Sequence, residues 1–465
     1  MTRKLLNCLA VAALLAAVSA CHLISNFTPS NPQEEDDPSN PSGQTDPEGP
    51  SDPSGPATVK PSQFIEYQAI DSLRLAHADF PAWAYDTTGD YGVIVANTLY
   101  LKCTAHNAKL EESMAKENAS GTWGYWDYII HYVSKDASGN DITLSERLVF
   151  PAGFDFNHPL KGLVLVNHPT IGANRECPTN DKDFLIGLAA SDYAIVFPDL
   201  QGFGVSVDRV HPYMCEELTA RHSVDGLLAV MRFFSDRSIG LVSKYGLVNI
   251  GYSQGGASAM SVHKYLENDS PKDVSEELRL KESYCGGGPY DPVATWESYS
   301  ATDDLAFPCV LPMTILALKE GYPEEMKDIN PEDCFNPALA GSGYFNKIVS
   351  KEYTTSLLNA HLKIQVGSSL MSEILTPVLL DPESPARAAV MELLARNNLA
   401  SGWSPKQPVY VCHLKNDEIV PYVNTENALE GLAGGNIKKL SGFIAPGAGH
   451  VSAGGVFYML MMDKL

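Results

Sequence analysis

Apolar residues along this chain fall into two spacings, one for strands and one for helices. Trp126 to Val133 (WDYIIHYV) and Ile142 to Phe150 (ITLSERLVF) read as strands. Asp136 to Asn140 (DASGN) between them is a turn signal, so the pair is predicted as a hairpin. Leu163 to Asn167 (LVLVN) and Tyr193 to Phe197 (YAIVF) are short apolar runs without alternation, which suits strands buried on both faces. Ala220 to Phe234 carries apolar residues at helical spacing. Further strands are predicted at Tyr245 to Ile250, Leu280 to Cys285, Val409 to Leu414 and Lys439 to Ala445, with a terminal helix at Val456 to Met462. Strands alternating with helices predict an α/β chain with a mostly parallel central sheet and flanking helices. From Tyr299 to Trp403 the alternation stops. Helix-like stretches at Thr314 to Gly321, Lys351 to His361, Ser368 to Leu375 and Ala386 to Asn397 predict a helical cap, inserted between the sixth and seventh predicted strands. Its Leu, Met and Ile residues are candidates for an acyl pocket, or for a core that holds the cap itself.

The most informative stretch is Gly251-Tyr252-Ser253-Gln254-Gly255. It lies between the strand ending at Ile250 and a helix predicted at Gly256 to Leu266. Strand, tight turn and helix are the context in which a G-x-S-x-G run exposes a nucleophilic serine. Such a turn imposes strained backbone angles on the serine, and a side chain at 251 or 255 would strike a neighbouring strand or helix. The helix N-terminus then presents free N–H groups above Ser253 Oγ, where an anion can be held.

A serine hydroxyl needs a base in hydrogen-bond reach, and the base needs an acid to fix its tautomer. Of twelve histidines, His450 in Pro446-Gly447-Ala448-Gly449-His450 is the best placed. It follows the last predicted strand, where the loops of a parallel sheet gather functional groups. The acid is assigned to Asp417 in Asn416-Asp417-Glu418-Ile419-Val420-Pro421, directly after the strand ending at Leu414. Glu418 is the poorer choice because adjacent residues point to different sides, and Asp291 is the alternative. An oxyanion hole needs two N–H donors. Gln254 at the helix start supplies one. The other is expected from the loop His168-Pro169-Thr170-Ile171-Gly172 after the third predicted strand. Pro169 has no N–H. Thr170 is the choice, with Ile171 behind it, and His168 shapes the loop. No metal or organic cofactor is required.

With these residues in view, the chain resembles secretory lipases and related α/β-hydrolases. The similarity is carried by Pro198-Asp199-Leu200-Gln201-Gly202-Phe203-Gly204, His211-Pro212-Tyr213, the helix through Asp225, the GYSQGG elbow, Gly286-Gly287-Gly288-Pro289 and the NDEIVP loop. It covers residues 140–300 and 400–455. The resemblance implies an α/β-hydrolase fold and an ester hydrolase with Ser253, Asp417 and His450 as its triad. One departure stands at His168-Pro169, where relatives carry His-Gly. The cap matches no pattern, so the resemblance names no substrate. A serine peptidase of the same fold and a non-catalytic surface binding protein remain the alternative functions.

The N-terminus and the composition add location. Arg3 and Lys4 precede an apolar stretch from Leu5 to Val18, too short for a membrane span, so residues 1–20 read as a signal peptide. Val18-Ser19-Ala20-Cys21 resembles a bacterial lipoprotein cleavage box, which implies that Cys21 becomes the lipid-bearing N-terminus. Residues 21–61 form a linker. Its stretch from Pro29 to Pro61 holds nine prolines, seven acidic residues and almost nothing large and apolar. Such a segment buries too little surface to offset chain entropy and is expected to stay an extended, disordered tether. Residues 62–465 then form one hydrolase domain. The expected place is the bacterial cell envelope, at the outer membrane or cell surface, with a small-molecule or lipid ester as substrate. A net charge of −23 disfavours nucleic acid as a partner. Cysteines 103, 177, 215, 285, 309, 334 and 412 form no C-x-x-C pair, so a zinc site is not expected. Cys177 with Cys215, or Cys309 with Cys334, are the possible disulfides.

Overall fold

The computed structural model describes residues 64–74, 124–151, 154–181, 192–440 and 449–462. The expected signal peptide, Cys21, the Pro/acid linker and Cys103 lie outside the described residues. Nine strands form one sheet: β1 (Phe64–Arg74), β2 (Gly124–Lys135), β3 (Asp141–Pro151), β4 (Gly162–Asn167), β5 (Tyr193–Pro198), β6 (Leu247–Tyr252), β7 (Leu280–Gly286), β8 (Val409–Cys412) and β9 (Ile437–Lys439). Their order is β1-β2-β3-β5-β4-β6-β7-β8-β9. The first three are antiparallel, and β3 also meets β5 antiparallel. From β5 to β9 every pairing is parallel. All six residues of β4 and all six of β6 are buried, as two-face burial in a parallel sheet requires.

The β2–β3 hairpin turns where the sequence signals it. Asp136 Oδ1 accepts the N–H groups of Ser138 and Asn140, both at 2.9 Å, and Gly139 takes φ +82°. Helix α1 (Glu216–Asp236) packs its apolar side on β2 and β3, through Leu227, Val230 and Phe233 against Tyr128, Tyr132 and Phe150. α2 (Gln254–Lys264) packs beside α1, with Ser261 Oγ donating to Glu216 O at 2.6 Å, and its Ala257, Ala259 and Met260 join the core of the insertion between β7 and β8. Helices α3 (Lys272–Leu278), α4 (Pro292–Ser300), α5 (Val310–Gly321), α6 (Thr355–Val366) and α7 (Pro385–Arg396) follow, with several one-turn helices among them. α8 (Val423–Gly431) and α9 (His450–Met462) close the chain.

Three departures from the sequence reading have physical causes. β1 is an edge strand with register shifts and no clean alternation, so periodicity does not reveal it. β9 is Ile437–Lys439 rather than Lys439 to Ala445. Leu440 N–H still donates to Val411 O at 2.7 Å, and residues 441–448, on which most of the predicted strand falls, lie outside the described residues. The terminal helix begins at His450, six residues before the apolar run that predicted it. Cys177, Cys215, Cys285, Cys309, Cys334 and Cys412 are all buried and free, so neither suggested disulfide forms.

One buried group carries a measurable cost. Glu146 on β3 is fully enclosed beneath α1, and neither carboxyl oxygen has a hydrogen-bond partner among the described residues. Burial, and then the nearby Asp199 charge, push its pKa well above the ordinary 4.5. A carboxyl held protonated by the fold lends its full stability below the unfolded pKa and loses it as pH rises toward the folded one. The unfolding free energy of Glu146→Gln relative to wild type should therefore climb from pH 5 to pH 8. The expected slope is about 1.4 kcal/mol per pH unit while Glu146 stays protonated. Urea unfolding at stepped pH checks this, and a pH-independent difference would contradict it.

Candidate active site

β6 runs straight into α2, and Ser253 is the residue between them. Its backbone sits at φ +60°, ψ −126°. This is a sparsely populated conformation for a residue with a side chain. Close packing holds it there. A Cβ on Gly251 would lie 2.0 Å from Gly255 O, and one on Gly255 would lie 2.1 Å from Asn167 O at the end of β4. Ser253 N–H donates to Gly286 O of β7 at 2.9 Å. The elbow is thus wedged between the two strands that flank β6.

Polar side chains lock α2 onto those strands. Asn167 Nδ2 donates to Asn249 Oδ1 at 2.8 Å, and Asn249 Nδ2 donates to Ala259 O at 2.6 Å and Ser283 Oγ at 3.1 Å. His263 Nδ1 lies 2.8 Å from Ser283 Oγ. Every one of these groups is buried, so each bond is worth keeping.

The three residues singled out from the sequence come together at the C-terminal edge of the sheet. His450 Nε2 is 2.9 Å from Ser253 Oγ. His450 Nδ1 is 2.6 Å from Asp417 Oδ2. A carboxylate accepts only, so Nδ1 carries the ring proton and Nε2 offers its lone pair to the serine hydroxyl. Asp417 Oδ1 accepts the N–H groups of Ile419 at 2.9 Å and Val420 at 2.8 Å. His413 Nε2 lies 3.3 Å from Asp417 Oδ2. Burial by itself raises the Asp417 pKa, but hydrogen bonds and charge from His413 and His450 outweigh it. The carboxyl is held well below the usual range and stays ionised.

The oxyanion candidates lie nearby. The Gln254 N–H is the first of α2, and Thr170 lines the same cavity as Ser253 and His450. Neither N–H has a hydrogen-bond partner among the described residues. Thr170 Oγ1 sits 3.2 Å from Tyr213 Oη. His168 is buried, with Nδ1 2.7 Å from Pro169 O and Nε2 3.2 Å from Asp199 O, which pins the loop. Asp291, the alternative acid, makes its bonds elsewhere. Its Oδ1 caps α4 by accepting Ala294 N–H at 3.0 Å, and its Oδ2 accepts from Asn427 at 2.8 Å.

Sequence reasoning missed three supports. Glu418, set aside as the acid, accepts the His450 backbone N–H with both oxygens at 3.0 Å. Tyr252 Oη donates to His450 O at 2.8 Å, and its ring lies 5.0 Å from the imidazole. His413 is fixed from its other side by Thr425 Oγ1 at 2.8 Å. A histidine four residues before an acid is a faint signal for the last. Nothing in the one-dimensional pattern marks the first two.

A cavity of about 290 Å³ opens on Ser253. Tyr213, Trp296, Tyr299, Phe307 and Leu311 are among its walls, and among the described residues no Asp, Glu, Lys or Arg lines it. Among the described residues no cluster of His, Cys, Asp and Glu is arranged to hold a metal. No helix among them is long and apolar enough to cross a membrane.

The secretory lipase family model matches residues 178–454. No curated protein matches the chain. Among solved structures, the chain is similar to the rice cell wall degrading esterase LipA from Xanthomonas oryzae. That likeness has 22% identity and a TM-score of 0.58 over 74% of this chain and 88% of that one. A putative hydrolase from Legionella pneumophila is 16% identical with a TM-score of 0.64, over 86% and 96% of the two chains. Candida antarctica lipase A is 17% identical with a TM-score of 0.50, over 70% and 73%. At such identities these structures speak for the fold. With the family match spanning more than half of its length, the chain belongs to the secretory lipase family and is a carboxylic ester hydrolase of the α/β-hydrolase fold.

Proposed function

We propose that the ester is cleaved through an acyl-enzyme on Ser253. The reading rests on one observation: the unbroken run from Asp417 through His450 to Ser253 at the floor of an uncharged cavity. Ser253 Oγ attacks the carbonyl carbon as its proton moves to His450 Nε2. The carbonyl oxygen becomes an oxyanion and is met by the N–H groups of Gln254 and Thr170. Asp417 stabilises the imidazolium. His450 then gives its proton to the departing alcohol oxygen, leaving the acyl group on Ser253. Water repeats the sequence, its proton passing through His450 back to Ser253 as the acid leaves.

The cavity favours neutral, largely apolar esters. A peptidase that grips a chain terminus would need a charged group among the walls, and the described lining has none. A pure binding protein would have no use for a serine aligned with an imidazole. Membership in the secretory lipase family supports export. The leader and Cys21 support a lipid anchor at the cell envelope, with residues 21–61 as a tether and 62–465 as the hydrolase domain.

Four outcomes are expected. A fluorophosphonate probe should label wild type but not Ser253→Ala, and Asp417→Asn should lose about ten-thousandfold in kcat. Labelling that survives in Ser253→Ala would remove the nucleophile. The cavity is at the lower end of the roughly 300–1,000 Å³ span of small-molecule sites. Among p-nitrophenyl esters, butyrate to octanoate should accordingly exceed palmitate in kcat/KM by about tenfold or more. A flat series through palmitate contradicts the fit. Finally, bacteria expressing the full chain should incorporate labelled palmitate into wild type and not into Cys21→Ser. Equal label in both would dismiss Cys21 as the anchor.

A further inference from the structure

Gln254 is held through its side chain. Its backbone N–H opens α2, and its side-chain Nε2 lies 2.8 Å from His211 Nε2. His211 Nδ1 lies 2.8 Å from the carbonyl oxygen of Gln201. A carbonyl only accepts, so the ring proton sits on Nδ1. Nε2 is then a lone pair, and it accepts an N–H of the Gln254 amide. The other end of that amide, Oε1, is buried with no partner among the described residues. His211 is therefore the group that fixes this side chain.

The ring has no freedom to move away. It is 4% exposed and packs at 5.1 Å from the Phe203 ring and 6.2 Å from that of Tyr213. Gly202, at φ +91°, leaves room for its backbone, since a Cβ there would lie 2.6 Å from His211 N. Gln201, which anchors Nδ1, is held in turn by Glu320 of α5 at 2.6 Å and by Val210 O at 3.0 Å. Burial, and then the charge of Lys351, lower the His211 pKa well below its ordinary value. The imidazole stays neutral, so its Nε2 stays an acceptor.

We infer that His211 is a positioning residue for the oxyanion hole, clamping the side chain of Gln254 so that its backbone N–H keeps a fixed aim above Ser253. The inference rests on the acyl-enzyme reading. The first N–H groups of a helix have no helical partner, and the residue bearing one is free to fray unless something holds it. A donor acts on a developing oxyanion only if it is aimed before the charge appears. A single side-chain bond from a rigid, neutral ring supplies that aim. It works without touching the substrate.

The test is a double-mutant cycle with His211→Leu and Gln254→Met, the second of which keeps the backbone N–H. Each single variant should lower kcat about tenfold to hundredfold, with KM unchanged. The double variant should be no worse than either single one, because both remove the same bond. His211→Gln keeps an acceptor and should recover most of the loss. Affinity for a tetrahedral boronate should fall in step with kcat. Additive losses, a rise in KM alone, or Gln254→Met with wild-type kcat would overturn the inference. If His211→Leu fails to fold, Gln254→Met and His211→Gln decide the matter. Activity surviving in Ser253→Ala would instead strike the acyl-enzyme reading, a separate outcome from any of these.

Discussion

The site depends on the backbone of one residue. Ser253 is held at φ +60°, ψ −126°, a conformation that costs on the order of 1–3 kcal/mol and persists only when its surroundings over-determine it. The surroundings here are the two strands beside β6. β4 closes on Gly255 from one side, and β7 takes the serine N–H on Gly286 O from the other. The sheet order is what makes this possible, because β4 and β7 are the direct neighbours of β6. The buried ladder of Asn167, Asn249, Ser283 and His263 then ties α2 to the same strands. Strand order, close approach and strain form one constraint, and an outward-facing hydroxyl is its consequence.

Buried carboxyls in this fold diverge according to their partners, not their depth. Asp417, Asp199 and Glu146 are all enclosed. In Asp417 two backbone N–H groups and two imidazoles overcome burial and keep the charge. Asp199 accepts bonds from Ser145 and Thr179, each at 2.6 Å, yet burial still raises its pKa. Glu146 has no bond at all, and its neighbour Asp199 adds repulsion to burial. Hydroxyls ease a buried negative charge, while an imidazole that can become a cation secures it. Of these three, Asp417 alone receives that second kind of help. This is why burial fails to raise the pKa of Asp417 while it raises those of Asp199 and Glu146.

The reach of the sequence follows from what kind of pattern each feature leaves. Ser253, Asp417 and His450 are legible because each follows a strand of the sheet in chain order, and a parallel sheet brings such connections to one edge. Glu418 was read as the wrong acid for a sound reason, since its side chain does point elsewhere. Where it points depends on the path between β8 and α9, and no periodicity encodes that path. His413 and Tyr252 look like ordinary strand residues until the third dimension gives them partners. The strand at Ile437–Lys439 is too short and too charged to beat the apolar run that follows it. Free cysteines at 177, 215, 309 and 334 look bridgeable by residue type alone, yet each is buried as an unpaired thiol.

The division of labour between sheet and insertion explains why the chemistry was legible and the substrate was not. Sheet-edge loops and α9 supply Ser253, Asp417 and His450, so geometry common to the fold brings them together. The insertion between β7 and β8 supplies Phe307, Val310, Leu311, Thr355 and Leu394 to the cavity wall. It also has packing of its own, in which Leu318, Leu339, Tyr344, Leu358 and Leu379 are fully buried. Those residues hold the insertion together without meeting the cavity. Val310, Leu311 and Leu394 are wall positions that also belong to this core, so their spacing reports the packing and not the contact with the cavity. A core position reports its role through hydrophobic spacing. A wall position is chosen by the shape of a ligand, and shape leaves no period in a sequence.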